Sequence, residues 1–161
     1  MADTVRKMAA GALAGLVATG PMTLFLEGVH QAAGPADPIP IAPQVITERA
    51  LATAGVRDEL TAAERRAATL VAHFGFGTCA GSAFPLVAAL TPVSPLLSGA
   101  AYGLAVWAGS YLGGLPALGI RGPLRRSFRD DHVQLVAAHV VWGAALSWLA
   151  KRLQKGSRRP F

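Results

Sequence analysis

Charge is scarce in this sequence. Asp, Glu, Lys and Arg together make up 15% of its 161 residues, and hydrophobic residues make up 52%. An average soluble domain carries roughly 25% charge. The length is one domain's worth of chain. Cysteine is scarcer still: the single Cys79 excludes an intrachain disulfide and a multi-cysteine metal site. Its place inside an apolar run reads as that of a small packing side chain. Also missing are a nucleophile elbow, a P-loop and a dinucleotide fingerprint in a credible context. No catalytic residue is assigned, and an enzyme is the least favoured class. The net charge of +6 would suit nucleic acid, but the basic residues flank apolar runs as interfacial anchors do. No aromatic–basic interleaving of the kind that stacks bases is present. The bilayer, not nucleic acid, is the expected partner.

What the chain does have is long uncharged sequence. Residues 8–26, 67–89, 96–120 and 133–150 contain no Asp, Glu, Lys or Arg. A bilayer core takes about 20 apolar residues as a helix, and four such runs are hard to bury in a small soluble fold. The expected fold is all-α, a single polytopic four-helix membrane bundle with spans at about 8–31, 67–90, 96–120 and 132–150. Arg6 and Lys7 before the first run resemble the start of a signal peptide. The run is too long for one and lacks a small-x-small cleavage site, so it is expected to stay.

Between the first two spans, residues 34–61 hold Pro35, Pro38, Pro40 and Pro43. Pro43 suits the opening turn of a short helix, ending near Gly55, that lies on the membrane surface or caps the bundle. Thr61 and Glu64 have capping-box spacing, so the second long helix is expected to start near Ala62. The tight "TPVSP" turn predicts that spans two and three are antiparallel neighbours. Pro21 and Pro85 predict kinks, and "GGLPALG" predicts a break at the end of span three. Gly11/Gly15, Gly77/Gly81, Gly99/Gly103 and Gly109/Gly113 have the G-x-x-x-G spacing that lets helix backbones approach. The glycine-rich faces also leave room for a homo-oligomer.

Four spans put both termini on one side. Seven basic residues lie at the termini and eight in the opposite loops, a tie under the positive-inside rule. All three lysines are terminal, and on that basis the termini are placed in the cytoplasm. The arginine-rich "RGPLRRSFRDD" reads as a solvated or headgroup-facing loop. Trp107, Trp142 and Trp148 read as packing residues or interface anchors.

All four histidines lie in or beside a span, and Glu27 is the one acid within the apolar regions. Alternating spans bring Glu27, His30, His73, His132 and His139 into the same half of the membrane. Glu27 and His30, at i and i+3, share a helix face, and His132 and His139 share a stripe. Ionisable groups in a span usually face the bundle interior or a wet cavity. Glu27, His30, His73 and His139 are therefore expected to converge near one membrane face.

Three readings of that set stay open. One is polar glue, with the histidines bonded to Tyr102, Tyr111, Ser110, Thr78 or one another. The second is a metal site, Zn or Fe on Glu27, His30, His73 and His139, or a haem held by His73 and His139. Glu-x-x-His is half of the ligand set of a di-iron bundle, but no second copy is present. The third is a proton or small-solute path, with Glu27 and a histidine exchanging a proton near neutral pH.

The segments "HFGFGTCAGSAFPLVAAL", "GAAYGLAVWAGSYLGGLPALGI" and "AAHVVWGAALSWLAKRL" resemble the YagU-like family of small bacterial inner-membrane proteins. The resemblance covers about half the chain and implies a multi-pass protein of the bacterial inner membrane. It implies no reaction, and it does not extend to Glu27 and His30.

Overall fold

The computed structural model describes residues 1–32, 42–90, 93–120 and 128–156, with side chains except those of 128–132 and 156. The first three prolines of the proline-rich stretch, the "RGPLRR" stretch and the His132 side chain lie outside this set. The described residues are helical, with no strand among them. The helices are α1 (Ala2–Ala32), α2 (Ala42–Thr53), α3 (Ala62–Ala88), α4 (Pro95–Ala108), α5 (Leu115–Ala117) and α6 (Phe128–Gly156). A single 3-10 turn, Arg57–Glu59, precedes α3.

Local chemistry accounts for the boundaries. Thr61 caps α3: its backbone N–H donates to Glu64 Oε2 at 2.7 Å, and the Glu64 N–H donates to Thr61 Oγ1 at 3.3 Å. Gly55, with φ of +76°, ends the α2 region in the left-handed conformation that favours glycine. There Val56 N–H closes on the Leu51 carbonyl at 3.1 Å. α1 and α3 run on through Pro21 and Pro85.

Three helices are long and apolar enough to cross a membrane, judged by length and composition: Ala2–Ala32, Ala62–Ala88 and Val133–Lys155. The third uncharged run is not one α-helix. α4 has 14 residues, about 21 Å of rise against a hydrocarbon core of about 30 Å. It passes into a six-residue π-helical segment, Gly109–Gly114, and then into the single turn of α5. The physical reason lies in Pro116. Its ring crowds the carbonyl four residues back and it has no N–H to donate. The sequence just before it, "GSYLGG", has three glycines to absorb the wider turn.

Contacts across the bundle fix its order. α1 packs chiefly on α3 and α6, and α4 packs chiefly on α6. α3 and α4 touch much less, so being consecutive in the chain does not make them main partners. The α1–α3 crossing is made of glycine on glycine: a Cβ on Gly15 would strike the Gly77 carbonyl, and one on Gly81 the Gly11 carbonyl. At the α4–α6 crossing, a Cβ on Gly143 would strike the Gly99 carbonyl, and one on Gly103 the His139 carbonyl. A Cβ on Gly109 or Gly113 would meet no neighbouring helix within 4 Å among the described residues. In each crossing the numbers rise on one helix as they fall on the other. The two helices of each pair are therefore antiparallel.

Aromatic rings fill the centre. Phe84 packs on Tyr102 (centroids 5.3 Å apart) and Tyr102 stacks on Trp142 (6.2 Å). Tyr102 Oη donates to the Ala80 carbonyl at 2.7 Å and Trp142 Nε1 donates to the Gly15 carbonyl at 3.4 Å, so each polar tip ties two helices together. The outward faces are apolar: Leu13, Val17 and Leu24 of α1, Leu70 and Val71 of α3, Leu96 and Leu97 of α4 and Val133 of α6 are exposed. Such faces are consistent with contact to lipid tails.

Candidate functional site

Above the glycine crossings the helices separate around a cavity of about 350 Å³. α1 contributes Thr19, Met22 and Leu26, a stripe at i, i+3 and i+7 that keeps one face turned inward. α3 contributes His73, Phe76 and Gly77, the π segment contributes Ser110 and Tyr111, and α6 contributes His139 and Trp142. α2 closes over one side with Pro43, Ile46 and Thr47. Most of this lining is apolar, so the few polar groups decide what the cavity can do.

The two threonines have already spent their hydrogens. Thr19 Oγ1 donates to the Gly15 carbonyl at 2.8 Å and Thr47 Oγ1 to the Pro43 carbonyl at 3.0 Å. His139 is 5% exposed and its Nδ1 lies 2.8 Å from the Leu135 carbonyl, one turn back on its own helix. A carbonyl oxygen only accepts, so Nδ1 carries the hydrogen, and in the neutral ring the lone pair sits on Nε2. Tyr111 meets the His139 ring edge-on, centroids 5.9 Å apart at 89°. His73 leans on Phe74 in a similar edge contact, and its Nε2 is buried with no hydrogen-bond partner among the described residues. A buried polar atom left unmatched costs about 1–3 kcal/mol.

α2 is held down by charge at its outer side. Glu48 takes Arg57 Nε at 2.8 Å and Arg65 Nε at 3.1 Å, joining α2 to the turn before α3 and to the first turns of α3. The hydrogen bond that Arg57 donates to Glu48 raises the Arg57 pKa above its ordinary value.

The four residues expected to converge fall into two tiers. His73 and His139 line the cavity; Glu27 and His30, both partly buried, do not. Facing and depth together explain the split: Leu26 lines the cavity, and Glu27, the next residue, is turned about 100° from it around the helix. Gly77 packs on Thr19 and Trp142 reaches Gly15, and each histidine lies about one turn beyond those contacts. Glu27 is eight residues past Thr19, about 12 Å along the axis, and His30 is about 16 Å past it. Sharing one half of the membrane was too coarse a measure for ligands that must meet at one point. Among the described residues no group of three or more His, Cys, Asp or Glu is gathered closely enough to hold a metal ion. The polar-glue partners differ too: Tyr102 and Thr78 donate to the Ala80 and Phe74 carbonyls, and His139 bonds within its own helix. Thr19, Thr47, Phe76 and Trp142 were not singled out from sequence as site residues. The i, i+3, i+7 stripe ending in Leu26 was the signal available for the first.

The chain matches no curated protein and no solved structure. A family model described as "Protein of unknown function (DUF1440)" matches residues 53–148. That segment carries His73, Ser110, Tyr111, His139 and Trp142, and leaves out α1 with Glu27 and His30. Since the match covers more than half of its residues, the chain belongs to the DUF1440 family.

Proposed function

We propose that this is a four-span, YagU-like protein of the bacterial inner membrane that binds a small, largely apolar molecule in the cavity between α1, α2, α3 and α6. One observation carries this reading: a largely apolar cavity of about 350 Å³ has His73, Ser110, Tyr111 and His139 as polar residues on its lining. An apolar cavity with a few convergent polar groups is the usual form of a small-molecule site. The helical stretch from Pro95 to Ala117 completes the set as the third span in chain order, crossing with the help of its π segment. The glycine crossings are its packing seams. Lys151, Arg152 and Lys155 at the end of α6, with Lys7 at the start of α1, favour a cytoplasmic position for the termini.

Volume and closure argue between the alternatives. A 150 Å³ apolar cavity holds benzene, so about 350 Å³ takes a one- or two-ring compound, far short of a haem macrocycle. Trp142 and the backbone contacts at Gly15, Gly77, Gly103 and Gly143 close the other end, which disfavours a solute path through the bundle. The test is extraction of the detergent-purified protein and mass spectrometry of what is released. A small organic compound present in wild type and absent from His73→Leu and Ala72→Phe is the expected result. Elemental analysis and an absorption spectrum of the same preparation test the metal and haem readings. A stoichiometric metal or haem band lost in His73→Leu would displace the proposal.

A further inference from the structure

The last turns of α6 carry positive charge that no described residue neutralises. Residues 132–161 hold five Lys or Arg and no Asp or Glu. Trp148, Lys151, Arg152 and Lys155 fall at i, i+3, i+4 and i+7, so they share one face of the helix. All four are exposed, and together they line one depression on the surface. The Arg152 guanidinium carbon lies 5.1 Å from the centre of the Trp148 ring, a cation–π contact that ties the charge to the indole. Among the described residues no carboxylate pairs with Lys151, Arg152 or Lys155.

Depth identifies the anion that can meet them. Trp142 Nε1 reaches the Gly15 carbonyl, near the midpoints of the spanning segments Val133–Lys155 and Ala2–Ala32. From that contact the cavity lies toward Thr19 and Met22 on α1 and toward His139 on α6, so these two helices are antiparallel. On the other side, Lys7 and Lys151 stand about 12 and 14 Å from the contact along the helix axes. Half a hydrocarbon core is about 15 Å, which puts both at the level of the lipid headgroups. Arg6 and Lys7 are already paired with Asp3, at 2.5 and 2.7 Å. The α6 cations are not, and the anion available at that depth is a lipid phosphate. A zwitterionic headgroup would bring an ammonium of its own into a patch of three cations; a net-negative headgroup brings none. We propose that this face of α6 holds the headgroup of an anionic phospholipid, its phosphate taken by Lys151, Arg152 and Lys155 and its glycerol region resting on Trp148. This site is separate from the cavity and does not depend on what the cavity binds.

Native mass spectrometry tests this on the full-length protein in detergent, titrated with phosphatidylglycerol or with phosphatidylcholine of the same acyl chains. Wild type is expected to bind the first about tenfold more tightly, since each basic residue beside an anionic headgroup layer strengthens attachment by up to about fivefold. The preference should disappear in the triple variant Lys151→Gln/Arg152→Gln/Lys155→Gln, shrink in Trp148→Leu, and weaken as salt is raised. It should persist in Arg6→Gln/Lys7→Gln, whose cations already have a partner. Thermal unfolding checks that each variant is folded. Equal affinity of wild type for the two lipids, or a preference that survives the triple variant, would overturn the proposal. Loss of the preference in Arg6→Gln/Lys7→Gln would overturn its assignment to α6. Glycerophosphoglycerol, the same headgroup without chains, is the third probe. Binding as tight as that of the whole lipid would mean a site for a free anion and would overturn lipid docking.

Discussion

The imidazole Nδ1 of His139 donates to the Leu135 carbonyl at 2.8 Å, one helical turn earlier, and this bond decides what the residue can offer the cavity. Asn at position 139 can imitate the Nδ1 side, whereas Gln reaches the Nε2 side. His139→Asn is therefore expected to fold normally and to weaken ligand binding by about tenfold, a loss of about 1.4 kcal/mol. His139→Gln should lose less. Nitrogen NMR of selectively labelled histidine provides a direct check, with His139 protonated at Nδ1 and unprotonated at Nε2.

The glycine crossings make a prediction with opposite signs at two kinds of position. Gly15→Val and Gly77→Val push a side chain into the facing backbone and should cost about 1–3 kcal/mol as overpacked positions do. Gly20 sits in the same helix as Gly15 with nothing within 4 Å of its missing Cβ. Gly20→Ala should be neutral or stabilising by about 0.5–1 kcal/mol. Thermal unfolding in one detergent separates the two.

Pro116 shapes the site at a distance. Pro116→Ala restores an N–H four residues after the Leu112 carbonyl, and the π segment can relax to α-helix. The change in turn would rotate Tyr111 away from His139. The expected outcome is weaker cavity binding with equal or higher thermal stability. An unchanged affinity would mean that the π segment does not depend on Pro116.

Glu48 is the clasp of α2. Glu48→Gln removes the charge that holds both Arg57 and Arg65. The pair is partly exposed, so the cost to stability should be only about 0.2–1 kcal/mol. The effect should show in hydrogen exchange, faster across α2 while the middle of α3 is unchanged. It should also raise the ligand's dissociation rate.

Much of the fold was legible in the residues. Uncharged runs gave three helices of membrane length, and Thr61 with Glu64 gave the start of α3 to the residue, because a capping box is a local device. The third run was read as one helix because hydropathy does not register a π segment. The "GGLPALG" punctuation pointed to its end, but Pro116 acts earlier, on the turn before it. Glycine spacing says that a backbone can approach and not which backbone it meets. The match of Gly11 and Gly15 with Gly77 and Gly81 is a tertiary fact. The cavity lining was legible in part for the same reason. Ionisable residues in apolar runs drew attention to His73 and His139, which line the cavity, and a depth resolved only to half a membrane grouped them with Glu27 and His30, which do not.

The division into tiers is tested most directly by one binding series. The affinity for 1-naphthol, a two-ring probe with one hydroxyl, is measured for wild type, His73→Leu, His139→Leu, Glu27→Gln and His30→Ala, with folding checked by thermal unfolding. The expected result is a loss of about tenfold for each inner-tier variant and no change for Glu27→Gln or His30→Ala. Equal losses at all four positions, or losses only at Glu27 and His30, would contradict the placement of the site at His73 and His139.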